Sequence, residues 1–142
     1  MSEHLTNIVV CACIARDGKI FMARRANTKT TFAGEYELVG GHADPGEQPE
    51  AALQREIQEE LGVDINVIEP VFAFTYHSEG VDKIEIVYLC TLNDPTNEPI
   101  LNPADHSQSC WVGPDGLDRL GKDDIEITAL QKAFKALERT IT

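Results

Sequence analysis

The hydrophobic positions fall into runs of different period, and the runs set out the elements. Residues 7–16 are apolar almost without a break, which predicts a strand buried on both faces. Asp17-Gly18 follows, a strong hairpin signal, and residues 19–24 return as a second strand. Residues 27–34 are small and polar, a loop by composition, and 35–39 form a short extended piece running into Gly40-Gly41. After a loop over 42–47 comes the clearest helix. Pro49 suits its first position, where a missing N–H costs nothing, and Gly62 after Leu61 suits its C-cap. Residues 63–78 and 83–91 read as strands joined by a turn at 78–82, with Ile84, Ile86, Tyr88 and Cys90 alternating along the second. A long Pro/Asn/Asp-rich loop over 93–109 precedes a short strand at 110–112. The final helix, 125–139, carries Ile127, Leu130, Phe134 and Leu137 on one stripe. Strands and helices are mixed, so the pattern predicts one α+β domain over 1–142, with helices packed against a mixed sheet.

Composition narrows the partners. Apolar residues are 42% and charged residues 25% of the 142, the balance of a globular protein. Twelve basic residues against 24 acidic ones give a net charge of −12, which argues against a nucleic-acid polymer or an anionic membrane as partner. No stretch has the apolar length needed to cross a bilayer, and residues 1–4 lack the character of a secretory signal. Cys11, Cys13, Cys90 and Cys110 show no C-x-x-C spacing, so reduced thiols and a cytoplasmic location are expected. Cys11 and Cys13 share one face of the first strand and read as packing residues.

The acidic excess has a local focus. Glu56, Glu59 and Glu60 stand at i, i+3 and i+4 of the predicted central helix and project from one side, next to the apolar stripe of Leu53, Ile57 and Leu61. Like charges at these spacings cost roughly 0.2–0.5 kcal/mol per pair. A solvated acidic face tolerates that cost; a bound divalent cation removes it. The donors are hard oxygens, which suit Mg²⁺ or Mn²⁺ rather than zinc. Mg²⁺ fills the rest of its octahedron with water and substrate phosphate, and so reconciles an acidic protein with an anionic ligand.

From Gly41 to Val63 the chain reads GHADPGEQPEAALQREIQEELGV. This resembles the signature of the Nudix hydrolases, G-x5-E-x7-R-E-U-x-E-E-x-G-U with U a bulky aliphatic residue. Every specified position matches: Gly41, Glu47, Arg55, Glu56, Ile57, Glu59, Glu60, Gly62 and Val63. The resemblance implies a mixed sheet held between helices and Mg²⁺-dependent hydrolysis of a nucleoside diphosphate linked to another group. It implies Glu56, Glu59 and Glu60 as metal-binding carboxylates, Glu56 also as activator of water, and the Gly40 carbonyl as a further ligand. By the same comparison Arg55 holds the glutamates, and Glu47 supports the loop–helix junction or an outer-shell metal. Gly41 and Gly62 read as giving backbone freedom at the two ends of the motif. Tyr36 and Val39 stand where many members have Trp and Pro, a departure that leaves the metal positions intact.

Within the family the chain looks most like the MutT type, through residues 18–26 and their distance from Gly41. That likeness makes Arg25 a candidate contact for substrate phosphate, with an ordinary basic hairpin surface as the equal alternative. Asp105, six residues before Trp111, stands where MutT-like proteins often place one more acidic metal ligand or base. His106 beside it reads as an exposed loop residue. Asp124, with Asp123, precedes the last helix, where related enzymes present a side chain to the base; capping that helix is the alternative. Tyr76 and Trp111 read as core or pocket wall.

The expected function is a nucleotide pyrophosphohydrolase acting as monomer or homodimer on a small-molecule nucleotide, foremost a nucleoside triphosphate cleaved to monophosphate and pyrophosphate. A nucleotide sugar of the ADP-ribose type is the alternative substrate. A non-catalytic nucleotide sensor is the alternative class, and retention of every signature carboxylate argues against it.

Overall fold

The computed structural model describes residues 6–29, 33–120 and 124–141. The elements are β1 (Thr6–Arg16), β2 (Lys19–Arg25), β3 (Tyr36–Glu37), β4 (Val39–His42), α1 (Pro49–Leu61), β5 (Ile65–Ser78), β6 (Val81–Leu92), β7 (His106–Val112), a 3₁₀ segment (Pro114–Leu120) and α2 (Asp124–Ile141). Parallel pairing of β1 with β6 forms the centre of the sheet. β5 adds antiparallel to β6 on one side. On the other side β1 pairs with β4 through Val9–Ala12 and with β2 at the hairpin, and β2 is flanked by β3 and β7. Both two-residue turns use left-handed backbone, Asp17-Gly18 at φ 53° and 76° and Glu79-Gly80 at φ 57° and 80°. Positive φ at both central residues matches the twist of the strands they join.

The unbroken apolar run becomes a strand with a core on each face. Val10, Ala12 and Ile14 pack with Leu53, Ile57 and Leu61 of α1, whereas Cys11, Cys13 and Ala15 pack with Leu130, Ala133 and Phe134 of α2. Leu53, Ile57 and Leu61 are fully buried. At about 1.5–3 kcal/mol each, an upper range, their burial far exceeds the few tenths per pair that the neighbouring carboxylates cost α1. The buried stripe therefore fixes which edge of α1 the glutamates occupy. All four cysteines are free. No helix among the described residues is long and apolar enough to cross a membrane.

The expected mixed sheet between helices is present, with three departures beyond shifts of one or two residues at element ends. β7 begins at His106 rather than at 110, which shortens the preceding loop to 93–105. Ser107, Gln108 and Ser109 are exposed and carry no apolar alternation; pairing with β2 makes them a strand. Residues 35–39 divide into β3 and β4 around Leu38. The 3₁₀ segment lies in a stretch with no helical period.

β4 lies unusually close to β1. A Cβ at Gly40 would fall 1.9 Å from the Val10 carbonyl oxygen and 2.6 Å from Cys11 Cα, both backbone atoms that cannot rotate away. Gly40→Ala is therefore expected to destabilise the fold by about 1–3 kcal/mol or more, read from the denaturation midpoint.

Candidate active site

α1 is anchored at both ends by the residues its sequence supplied. Pro49 opens it, and Gly62 closes it in the left-handed region at φ 66°, its N–H donating to the Gln58 carbonyl at 3.0 Å. The loop before it is held by Glu47, whose Oε1 accepts from the Asp44 N–H at 2.9 Å.

Arg55 ties the loop, the helix and the end of β4 together. Its Nε and Nη2 donate to the two oxygens of Glu47 at 2.8 and 3.0 Å, a bidentate pair. Nη2 also donates to the His42 carbonyl, and Nη1 donates to Glu56 and Glu59, all at 3.2 Å. The guanidinium and the Asp44 N–H hold the Glu47 carboxyl down at about 2. Glu47 foremost, with Glu56 and Asp44, in turn raises the pKa of Arg55.

Glu56 lies against β4, with 15% of its side chain exposed. A Cβ at Gly41 would stand 2.4 Å from that carboxylate, so Gly41 is required for close approach. Backbone freedom does not explain it: only Gly62, of the two glycines bounding the motif, has positive φ. Burial raises the Glu56 pKa; Arg55 opposes the shift, and Glu59 adds to it.

Glu60 faces a different wall. Its carboxyl is pushed up to about 7, first by burial, with His106 opposing and Glu56, Asp105 and Glu37 reinforcing the shift. That wall comes from three strands and a loop. Asp105 pairs with Lys29 Nζ at 2.8 Å, and Glu37 of β3 accepts from Arg25 Nη1 at 3.5 Å. His106, expected to be exposed, is buried at the start of β7, with Nε2 2.8 Å from Glu37 Oε2. The polar stretch after it concealed the strand, and with it the burial.

The arrangement therefore brings Glu56 and Glu59 together on Arg55 and places Glu60 with Asp105. Arg25 stands at the same wall as Glu60. Asp124 opens α2, but its side chain lies outside the described residues, as does Asp123 altogether. Glu37 and His106 are the residues that sequence reasoning missed. The signal for Glu37 was slight: one carboxylate in a short extended piece just before Gly40-Gly41. Trp111 packs edge-on to Phe21 at 5.3 Å, under Arg16, and Tyr76 stacks on Phe74 at 5.7 Å while its hydroxyl donates to Glu85. Trp111 packs against the α1-side core, and Tyr76 lines a surface cavity with His77 and Ile84, within the expected core or wall placement.

Among the described residues no three acidic, histidine or cysteine side chains are placed to hold one ion together. The convergence suggested by the spacing is realised around a guanidinium instead. The donor set still fits a hard divalent cation: carboxylate oxygens that raise one another's pKa, half-buried at the edge of a rigid helix. A cation bound by Glu60 would have to displace its proton, so affinity at such a site is expected to rise with pH until about 7. Without cation the sign reverses. The folded protein holds that proton longer than the unfolded chain, so the Glu60 contribution to stability falls from pH 4.5 to about 7. Thermal midpoints of the wild type and Glu60→Gln across this interval, with and without metal, check both trends.

The Nudix-domain family model ("NUDIX domain") matches residues 4–131. A nucleoside triphosphatase NudI of Enterobacter sp. (strain 638) is 30% identical over 136 residues, covering 89% of this chain and 96% of that protein. The crystal structure of a MutT NUDIX hydrolase from Burkholderia pseudomallei superposes with a TM-score of 0.74 at 27% identity, covering 91% of this chain and 98% of that one. The solution structure of the E. coli ORF135 protein gives 0.73 at 30% identity, covering 96% and 94%.

Proposed function

This chain belongs to the Nudix family and is a hydrolase of phosphoanhydride bonds, and we propose that it cleaves nucleoside triphosphates to nucleoside monophosphate and pyrophosphate with Mg²⁺. Hydrolases of this family use divalent metal ions; Mg²⁺, with Mn²⁺ as substitute, is the choice that all-oxygen donors favour. The observation that carries the reading is the packing of Glu56 against Gly41 beside the Arg55 fork, which holds a complete signature at a partly buried edge. The similarity to nucleoside triphosphatases supports the substrate class.

Each residue then has a task. Glu56, Glu59 and Glu60 would hold the cation, with the Gly40 carbonyl and Asp105 as further oxygens. A divalent cation bound there supplies Lewis-acid polarisation of the phosphoryl oxygens and a more acidic attacking water. Glu56, shielded against β4, would accept the proton of the attacking water. Arg55 keeps Glu56 and Glu59 on one side of α1. Arg25 and Lys29 offset phosphate charge from the opposite wall, and Asp124 at the start of α2 contributes to the base subsite. All of this resides in one domain.

The test is a panel of nucleoside triphosphates and nucleotide sugars assayed with Mg²⁺. Pyrophosphate with monophosphate as products supports the reading. Sugar phosphate alone would replace the substrate class, and nucleotide binding without turnover would replace catalysis with sensing.

A further inference from the structure

His106 is a buried polar residue that packing alone does not explain. It is 3% exposed, its Nε2 lies 2.8 Å from Glu37 Oε2, and its Nδ1 has no hydrogen-bond partner among the described residues. A buried ring nitrogen without a partner carries a desolvation cost that an apolar side chain of similar size would avoid. The contact with Glu37 must therefore do something that packing does not.

The strand register shows what the contact spans. β3 and β7 flank β2 on opposite sides, with Glu37 opposite Ala23 and Arg25 opposite His106. The His106–Glu37 hydrogen bond thus crosses β2, on the face that Ala23 turns toward α1. A register shift between Arg24 and Arg25, where Ser107 is skipped, sets Arg25 against His106. Bulges of this kind re-aim a side chain. Glu37 Oε2 receives both neighbours, the imidazole at 2.8 Å and the Arg25 guanidinium at 3.5 Å.

We propose that His106 is a positioning residue: it fixes the Glu37 carboxylate, and Glu37 fixes the Arg25 guanidinium at the wall facing Glu60, ready for a substrate phosphate. Without the imidazole, Glu37 swings toward Arg25 or into solvent, and the guanidinium loses its set orientation. This rests on the phosphate-binding reading of Arg25 given above. The expected signature is weaker binding with little change in the chemical step, since the positioned group meets the phosphate before the bond breaks.

The experiment combines steady-state kinetics on a nucleoside triphosphate with titration of inorganic pyrophosphate, in Mg²⁺, for wild type, H106A, H106Q, E37Q, R25Q and H106A/R25Q. H106A is expected to raise KM, and weaken pyrophosphate, by roughly tenfold at nearly unchanged kcat, the usual size for one charge-assisted hydrogen bond. H106Q, which keeps a side-chain N–H donor, restores most of the loss, and E37Q reproduces it even should H106A fold poorly. In the R25Q background H106A adds nothing further, because its effect runs through Arg25. Unchanged KM in both H106A and E37Q, or full additivity with R25Q, overturns the proposal. Absence of wild-type turnover with His106-dependent pyrophosphate binding intact overturns the hydrolase reading instead and leaves this one standing.

Discussion

Glu59→Gln and Glu60→Gln are each expected to abolish divalent-metal-dependent turnover, a fall of about a thousandfold or more, while leaving the fold in place. The size follows from the chemistry: losing one anionic oxygen weakens cation binding and the transition-state stabilisation it brings, worth several kcal/mol. The intact fold follows from the geometry. Glu59 is largely exposed, with 58% of its side chain accessible, and it accepts a 3.2 Å hydrogen bond from Arg55. Glu60 is pushed up to about 7, so near neutrality a neutral amide resembles a state it already populates. Assays at saturating nucleotide and varied metal, with circular dichroism as control, check both halves. Wild-type turnover in both variants removes these residues from the mechanism.

Arg55→Lys is expected to lose about a hundredfold in activity even though the charge is kept, in line with the usual 10–100-fold effect of groups that orient metal ligands. Arg55 meets Glu47 through two parallel N–H donors while a third nitrogen holds Glu56 and Glu59. An ammonium is a point charge and reproduces one of these contacts at a time. Glu56, mostly buried against β4, would then lie near Gly41 and other carboxylates with a weakened counter-charge. The loss is expected chiefly in kcat and in metal affinity. Thermal stability should also fall, since the Glu47 carboxyl held at about 2 returns toward its ordinary range. Unchanged metal affinity in Arg55→Lys would show that the guanidinium does not organise the carboxylates.

How much of this was written in the sequence depends on the range of each signal. The α1 stripe and its Pro49 and Gly62 ends are local properties of one helix and are where periodicity puts them. The division of the glutamates between Arg55 and the wall of Asp105 and Glu37 depends instead on contacts outside the helix. Residues 7–16 announced burial on both faces because an apolar side chain is needed in each of two cores. Gly41 was recognisable as structural, but its reason was not: only the structure shows a carboxylate where its Cβ would stand. Glu37 and His106 stayed hidden for a related reason. They meet across β2 from strands 69 positions apart, and His106 opens a strand whose next residues are Ser, Gln and Ser. Only pairing with β2 makes that segment extended and buries its first side chain. Contacts of high sequence separation leave no period to read. The family signature, in contrast, concentrates its information in one turn-and-helix segment.

In this reading Arg55 holds Glu56 and Glu59 in place and the α1 carboxylates gather a divalent cation. Titration of Mn²⁺ followed by the spectrum of the free ion tests it directly, in the wild type and in E56Q/E59Q/E60Q. The wild type is expected to take up Mn²⁺, more strongly with nucleotide, and the triple variant to take up none at the same protein concentration. Equal uptake by both proteins would contradict it.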